Sequence, residues 1–203
     1  LYGNMDMDEK LEWLDREYLC HFDKIEVDSE IRFQEPFGKM VERELPYSIA
    51  SDESESDNTY LSYNKVIGTS LDRELYLAFQ ILDYALLSAP GAPLKKALTE
   101  AGIGKDIMGS YDNGVYQPIF SVISKNANAE QKEAFVEKIE EDGMDKKALE
   151  AGINYHEFRY READFGSYPK GLMYGLQMLD SWLYDDEKPF IHIEALDTFS
   201  FLK

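Results

Sequence analysis

Asp106-Ile107-Met108-Gly109-Ser110-Tyr111-Asp112-Asn113-Gly114-Val115-Tyr116-Gln117-Pro118-Ile119-Phe120-Ser121-Val122-Ile123-Ser124 is the stretch that decides the fold class. Asp106–Tyr111 and Val115–Ser124 both read as extended strands. Asn113-Gly114 between them is a strong signal for a tight hairpin, because both residue types accept positive φ. The second strand carries apolar groups on both registers, Val115, Ile119 and Ile123 against Tyr116, Phe120 and Val122, so it should be covered on both faces. Pro118 cannot donate to a ladder, which places that strand at a sheet edge or near a bulge.

Helical periods surround the hairpin. Upstream, Leu71, Leu75, Ala78, Phe79, Leu82 and Leu86 form a wide apolar stripe that Pro90-Gly91 ends. Pro93 opens a short helix that Gly102 closes. Before them, Thr59 to Ile67 alternates like a strand. Near the start, Asp6 or Asp8 could cap a helix from Glu9 to Phe22, with Leu11, Leu14, Tyr18 and Phe22 on one side. Residues 23–57 read as a connector with one or two strands at most, and Ser51 to Asp57 as a solvated acidic turn. Downstream, helices are predicted at about 129–141, 145–163, 168–184 and 188–200. This order predicts an α+β fold, a mixed or antiparallel sheet with long helices packed on one face.

The 203 residues carry 40 acidic against 21 basic side chains, a net charge of −19. Such a surface repels phosphate backbones and anionic lipid, so nucleic acid and membrane are poor partners. Apolar runs are short and broken by Asp83 and Ser88, far below the roughly 20 residues of a membrane span. No signal-peptide pattern opens the chain. Leu1-Tyr2-Gly3 reads like the end of a strand begun upstream, so the start is expected to be a cut. Cys20 is the single cysteine and fits a reducing compartment. The expected location is the cytoplasm of a bacterium, or an organellar matrix in a eukaryote.

Candidate chemistry fails residue by residue. His156-Glu157 evokes a helical zinc motif, but the fourth position on is Tyr160, and His21 and His192 are the only other histidines. Asn4, Asp6 and Asp8 imitate a calcium loop without its glycine or its closing glutamate, and a helix cap explains them better. Gly109-Ser110 and Gly166-Ser167 lack the nucleophile-elbow frame. Cys20 and His21 point apart on a helix. Gly102-Ile103-Gly104-Lys105 is too short for a phosphate loop. Tyr155, Phe158, Tyr160 and Phe165 are read as core. The chain alone is therefore expected to hold no metal or cofactor and to be inactive.

The passage Leu86-Leu87-Ser88-Ala89-Pro90-Gly91-Ala92-Pro93-Leu94-Lys95-Lys96-Ala97-Leu98, with Glu100-Ala101-Gly102-Ile103-Gly104 after it, resembles the insulinase-type (pitrilysin-like) zinc metallopeptidases. It is most similar to their presequence-peptidase and falcilysin branch. Leu1 to Asp6 resembles the last strand of that family's first domain, and the likeness continues through 106–124 and from Gly152 to Tyr184. The resemblance implies two halves, each of two αβ domains, closing around a chamber. It implies zinc in the parent, held in the first domain by an H-x-x-E-H that this chain does not contain. There a zinc-bound water would attack the carbonyl of an unstructured peptide.

By that resemblance, 1–22 would end the first domain, 23–57 would connect, and 58–203 would be most of the metal-free second domain, truncated before its final strand. The stretch between Ala129 and Lys146 would be about two helical turns shorter than the family's. The chain would wall the chamber and anchor peptide remotely through Ile107, Met108, Gly109, Ser110 and Tyr111, with Leu87, Ser88 and Ala89 beside them. Gly109 would admit a second backbone, or else it marks a bulge. The implied partners are unstructured peptides, basic ones being favoured by the acidic surface, and the remaining parental domains. Alternatives are a zinc-free, core-like subunit of the same family, an unrelated acidic interaction module, and a calcium-binding protein disfavoured by the failed loop.

Overall fold

A computed structural model describes residues 4–141, 145–163 and 165–203. The strand end expected at Leu1-Tyr2-Gly3 lies outside them, as do 142–144 in the stretch expected to be short. Helix α1 (Met7–Glu17) starts at Asp6, whose carboxylate accepts from the Glu9 amide at 3.1 Å. It ends earlier than Phe22 because Tyr18 leaves helical geometry at φ −132°, and a single 3-10 turn, Leu19–His21, follows. No described helix or strand interrupts residues 23–57, so the connector contains neither of the strands allowed for it.

The acidic turn from Ser51 is solvated, and its last residue, still partly exposed, is also tied down. Asp57 (φ 59°) pairs with Lys105 at 2.9 Å, accepts from the Asn128 side chain at 2.8 Å, and offers its carbonyl to Asn126 at 2.9 Å. The Lys105 ammonium, ahead of Asn128, holds the Asp57 carboxyl below the usual range. Strand β1 (Thr59–Val66) begins two residues on.

Helix α2 (Arg73–Asp83) is capped by Asp72, which accepts from the Glu74 and Leu75 amides at 3.1 and 3.0 Å. It widens into a π-helical turn, Tyr84–Ser88, before Ala89 turns extended. Pro93 opens α3 (Pro93–Glu100), and Gly102 follows it at φ +68°.

Strands β2 (Asp106–Asp112) and β3 (Ile119–Ala127) pair antiparallel, from Asp106 opposite Lys125 to Asp112 opposite Ile119. Strand β1 pairs antiparallel along the other side of β3, giving the order β1-β3-β2 among the described residues. The hairpin is therefore present, but β3 is central and not an edge strand. Pro118 sits just before its first residue, where no ladder bond is lost, and its carbonyl accepts from Ile67 at 2.8 Å. The two-residue turn at Asn113-Gly114 is also corrected, since residues 113–118 all lie between the strands. Tertiary contact overrides the turn signal here. Tyr116 stacks on Tyr184 at 4.8 Å and its carbonyl accepts from Ser70 at 2.8 Å, which holds the loop open.

One sheet face is covered. Leu61, Ile107 and Val122 point to Leu87 of the π turn, to Leu98 of α3 and to Phe135 of α4 (Lys132–Glu140) in one core. Each such fully buried side chain contributes about 1.5–3 kcal/mol over its exposed state. Behind α2 lies a second cluster, Leu77 and Ile81 with Ala195 and Phe199, joined by Ile153 and Tyr160 of α5 (Lys146–Glu162). Helix α6 (Lys170–Trp182) follows α5. The helix expected over 188–200 is the shorter α7 (Leu196–Leu202), because residues 184–195 form turns that carry His192 onto Tyr76.

Candidate functional site

Strand β2 ends the sheet, so among the described residues one side of its backbone has no strand partner. That edge contains the five residues implicated by resemblance, and the period of two divides them. Ile107, Gly109 and Tyr111 face the helices, while Met108 and Ser110 face away and are exposed.

The inward three are committed to packing. Ile107 and Leu87 are both 2% exposed and share one core. A Cβ on Gly109 would overlap the Asp83 carboxylate and come within 2.7 Å of Leu87 Cδ1. Room at Gly109 is thus taken by this chain's own helix, not left for a second backbone on that face, and no register shift of a bulge occurs there. The Tyr111 ring packs against Phe79 at 6.0 Å and Tyr76 at 6.4 Å, and burial pushes its phenol up. Beside the strand, Ser88 is exposed and its hydroxyl donates to Asp83 at 3.3 Å, while the Ala89 amide donates to the Tyr84 carbonyl. What remains available is the β2 edge itself with Met108, Ser110 and Ser88. Beyond Met108 and Ser110 the uncovered face continues in Ser62 and Asn64, where Ser121 donates to Asn64 Oδ1 at 2.7 Å.

Asp83 is the residue that sequence reasoning passed over. Its carboxyl is pushed above the usual range by burial, against the Ser88 hydrogen bond, and Oδ1 is buried without a hydrogen-bond partner. The signal was an aspartate breaking the apolar stripe of α2, one turn from Leu87.

The histidines are separated by structure. His156 meets Tyr84 and Tyr155 edge-on and bonds the Gln80 backbone; His192 stacks on Tyr76 at 3.7 Å and bonds the Ser70 backbone. Burial lowers both to about 4, so each is a neutral structural ring near neutral pH. Tyr160, at the position where a zinc motif needs histidine, accepts from the Ala195 amide at 2.8 Å and packs on Phe199. Among the described residues no three His, Cys, Asp or Glu side chains converge on a point that could hold a metal ion.

No described helix is long and apolar enough to cross a membrane. The family model described as "Peptidase M16 inactive domain" matches residues 1–155. The chain is 45% identical over 201 residues to Protein HypA of Clostridium perfringens, covering 96% of this chain and 21% of that protein. It is 32% identical over 213 residues to presequence protease 1, chloroplastic/mitochondrial, of Arabidopsis thaliana, covering 100% of this chain and 20% of that one. The chain thus spans about a fifth of the length of these relatives. In fold it is similar to a putative zinc protease from Bordetella pertussis Tohama I, with TM-score 0.50 and 10% identity over 70% of this chain and 84% of that one. The insulinase-type resemblance and the α+β architecture therefore hold, and the chain belongs to the family of the M16 peptidase inactive domain.

Proposed function

We propose that this chain is the peptide-holding, metal-free part of a longer zinc-dependent peptidase that degrades unstructured peptides. The observation that carries the reading is the β2 edge, unpaired among the described residues and flanked by exposed Met108 and Ser110 on an uncovered sheet face. An extended peptide laid along such an edge is held through backbone hydrogen bonds, which do not depend on its sequence. Ser88 and adaptable Met108 would touch its side chains. The net charge of −19 supports a preference for basic peptides. Hydrolysis would take place elsewhere in the parent, and residues 1–22, 23–57 and 58–203 would serve as domain end, connector and second domain.

Gly109 is unsuited to testing this, because any side chain there disturbs the core. The test uses the full-length protein and two sets of peptides, long and short, each with and without backbone N-methyl groups at alternate residues away from the cleaved bond. Losing one or two backbone hydrogen bonds should lower kcat/KM for long peptides about tenfold and leave short ones unchanged. Met108→Lys should add a further loss with basic long peptides only. Equal losses for both lengths, or none, would show that the β2 edge anchors nothing.

A further inference from the structure

Helix α6 carries apolar residues on the side where a surface helix should be polar. Leu172, Leu176, Leu179 and Leu183 are 52%, 48%, 39% and 67% exposed. At the angular spacing of an α-helix they fall within an arc of about 60°. The opposite side holds the helix to the chain. There the Ser181 hydroxyl donates to the Lys188 carbonyl at 2.7 Å and Tyr174 meets Phe165 edge-on at 5.2 Å, while on the flank Asp180 accepts from the Tyr76 hydroxyl at 2.7 Å. Only Lys170 and Asp180 are charged in Lys170–Trp182, and Asp180 is turned inward. Its neighbour α5 behaves otherwise, with Arg161 bonded to Glu157 along the helix surface. A contiguous row of four exposed leucines on one helix marks a surface that another apolar surface covers.

Two observations say what covers it. The HypA relative aligns with nearly all of this chain in 21% of its own length, so about four-fifths of such a protein lies outside it. Asp185, Asp186 and Glu187 begin two residues after the last leucine, and the chain carries −19, so two copies meeting here would bring acidic runs together. We infer that the Leu172–Leu176–Leu179–Leu183 face packs against an apolar surface of a further domain of the same polypeptide. This goes beyond the peptide-holding role and does not depend on it.

The experiment uses the full-length protein with Cys20→Ser and a single new thiol, Leu176→Cys or Leu179→Cys. Thiol-labelling rates are compared between native buffer and urea, each variant serving as its own reference. Labelling at both positions should be at least about tenfold slower in the native protein, and the protection should survive hundredfold dilution, as an intramolecular contact requires. Native labelling as fast as in urea would leave the face free and overturn the inference. Protection that fades on dilution would assign it to a second copy and overturn it equally. Should either variant fold poorly, hydroxyl-radical footprinting of the unsubstituted full-length protein reads the same surface. Low oxidation of the four leucines supports the contact, and oxidation at the level of the urea-unfolded chain refutes it.

Discussion

Residues 59–141 and residues 4–57 are both rich in apolar side chains, yet only the first stretch buries them. Between Thr59 and Glu140 the apolar groups recur at the period of the element that carries them, and Leu61, Leu98, Val122 and Phe135 meet in one core. In the connector Ile25 and Val27, then Ile31 and Phe33, alternate for two steps and stop, and they stay 48–74% exposed. Alternation without a neighbouring strand does not make a strand. Polar ties hold this segment instead: Gln34 and Gln117 exchange bonds of 2.7 and 3.1 Å, Lys132 reaches Glu42 at 2.9 Å, and Tyr47 donates to the Asn58 carbonyl.

Truncation on the two sides should separate them most. Phe135→Ala should cost about 3–5 kcal/mol in urea unfolding, while Phe37→Ala should stay within about 0.5 kcal/mol. Comparable losses would mean that the connector folds as part of the core.

Two glycines at nearly the same φ sharpen the contrast. Gly38 (φ +73°) has nothing within 4 Å of an added Cβ, whereas at Gly104 (φ +72°) a Cβ would overlap the Ser124 hydroxyl and lie 2.8 Å from the Lys125 carbonyl. Gly38→Ala should cost about 1–2 kcal/mol, the strain of its backbone alone, and Gly104→Ala at least about 1 kcal/mol more. Equal costs would show that crowding at Gly104 relaxes away.

Mild acid should act first on the packed histidines. His156 and His192 have folded values near 4, below the ordinary histidine value, so the folded state binds fewer protons than the unfolded one between them. Their contribution is complete above about pH 6.5 and is lost as pH falls towards 4. Asp83 and Asp180, both raised by burial, take up protons in the folded state before they do in the unfolded one and so oppose this loss from the ordinary carboxylate value upward. The urea midpoint should fall between pH 6.5 and 5, and His156→Gln with His192→Gln should flatten the fall. An unaltered slope in that double variant would place the acid sensitivity elsewhere.

The smallest effect is expected at Glu42→Gln. The ion pair with Lys132 is exposed on both partners, so the unfolding midpoint should not move. Protease cutting within 23–57 should nevertheless quicken. An unchanged cutting rate would remove this pair from the ties that hold the connector.

Much of the fold was legible because its signals are local. Asp6 as a cap, the α2 stripe, the break at Pro90-Gly91 and Pro93 at the head of α3 depend on residues within one or two turns. Strand order does not. Nothing near Pro118 reveals that β1 will pair with the far side of β3, and nothing in Asn113-Gly114 reveals that Tyr116 will stack on Tyr184. The site divides in the same way. The period of two already split Ile107, Gly109 and Tyr111 from Met108 and Ser110. Which set faces inward depended on a helix carrying Asp83 and Leu87, more than twenty residues earlier.

Both tryptophans lie outside the packed cores: Trp13 in α1 and Trp182 at the end of α6 are 41% and 49% exposed. Intrinsic tryptophan emission should therefore be red-shifted in the folded chain and hardly respond to unfolding. The useful chromophores are Tyr84 and Tyr155, whose rings lie 4.0 Å apart and within 5° of parallel. Their coupled near-ultraviolet circular dichroism should report the docking of α5 on the π turn, which leaves Trp182 as a separate optical probe of whatever approaches the end of α6.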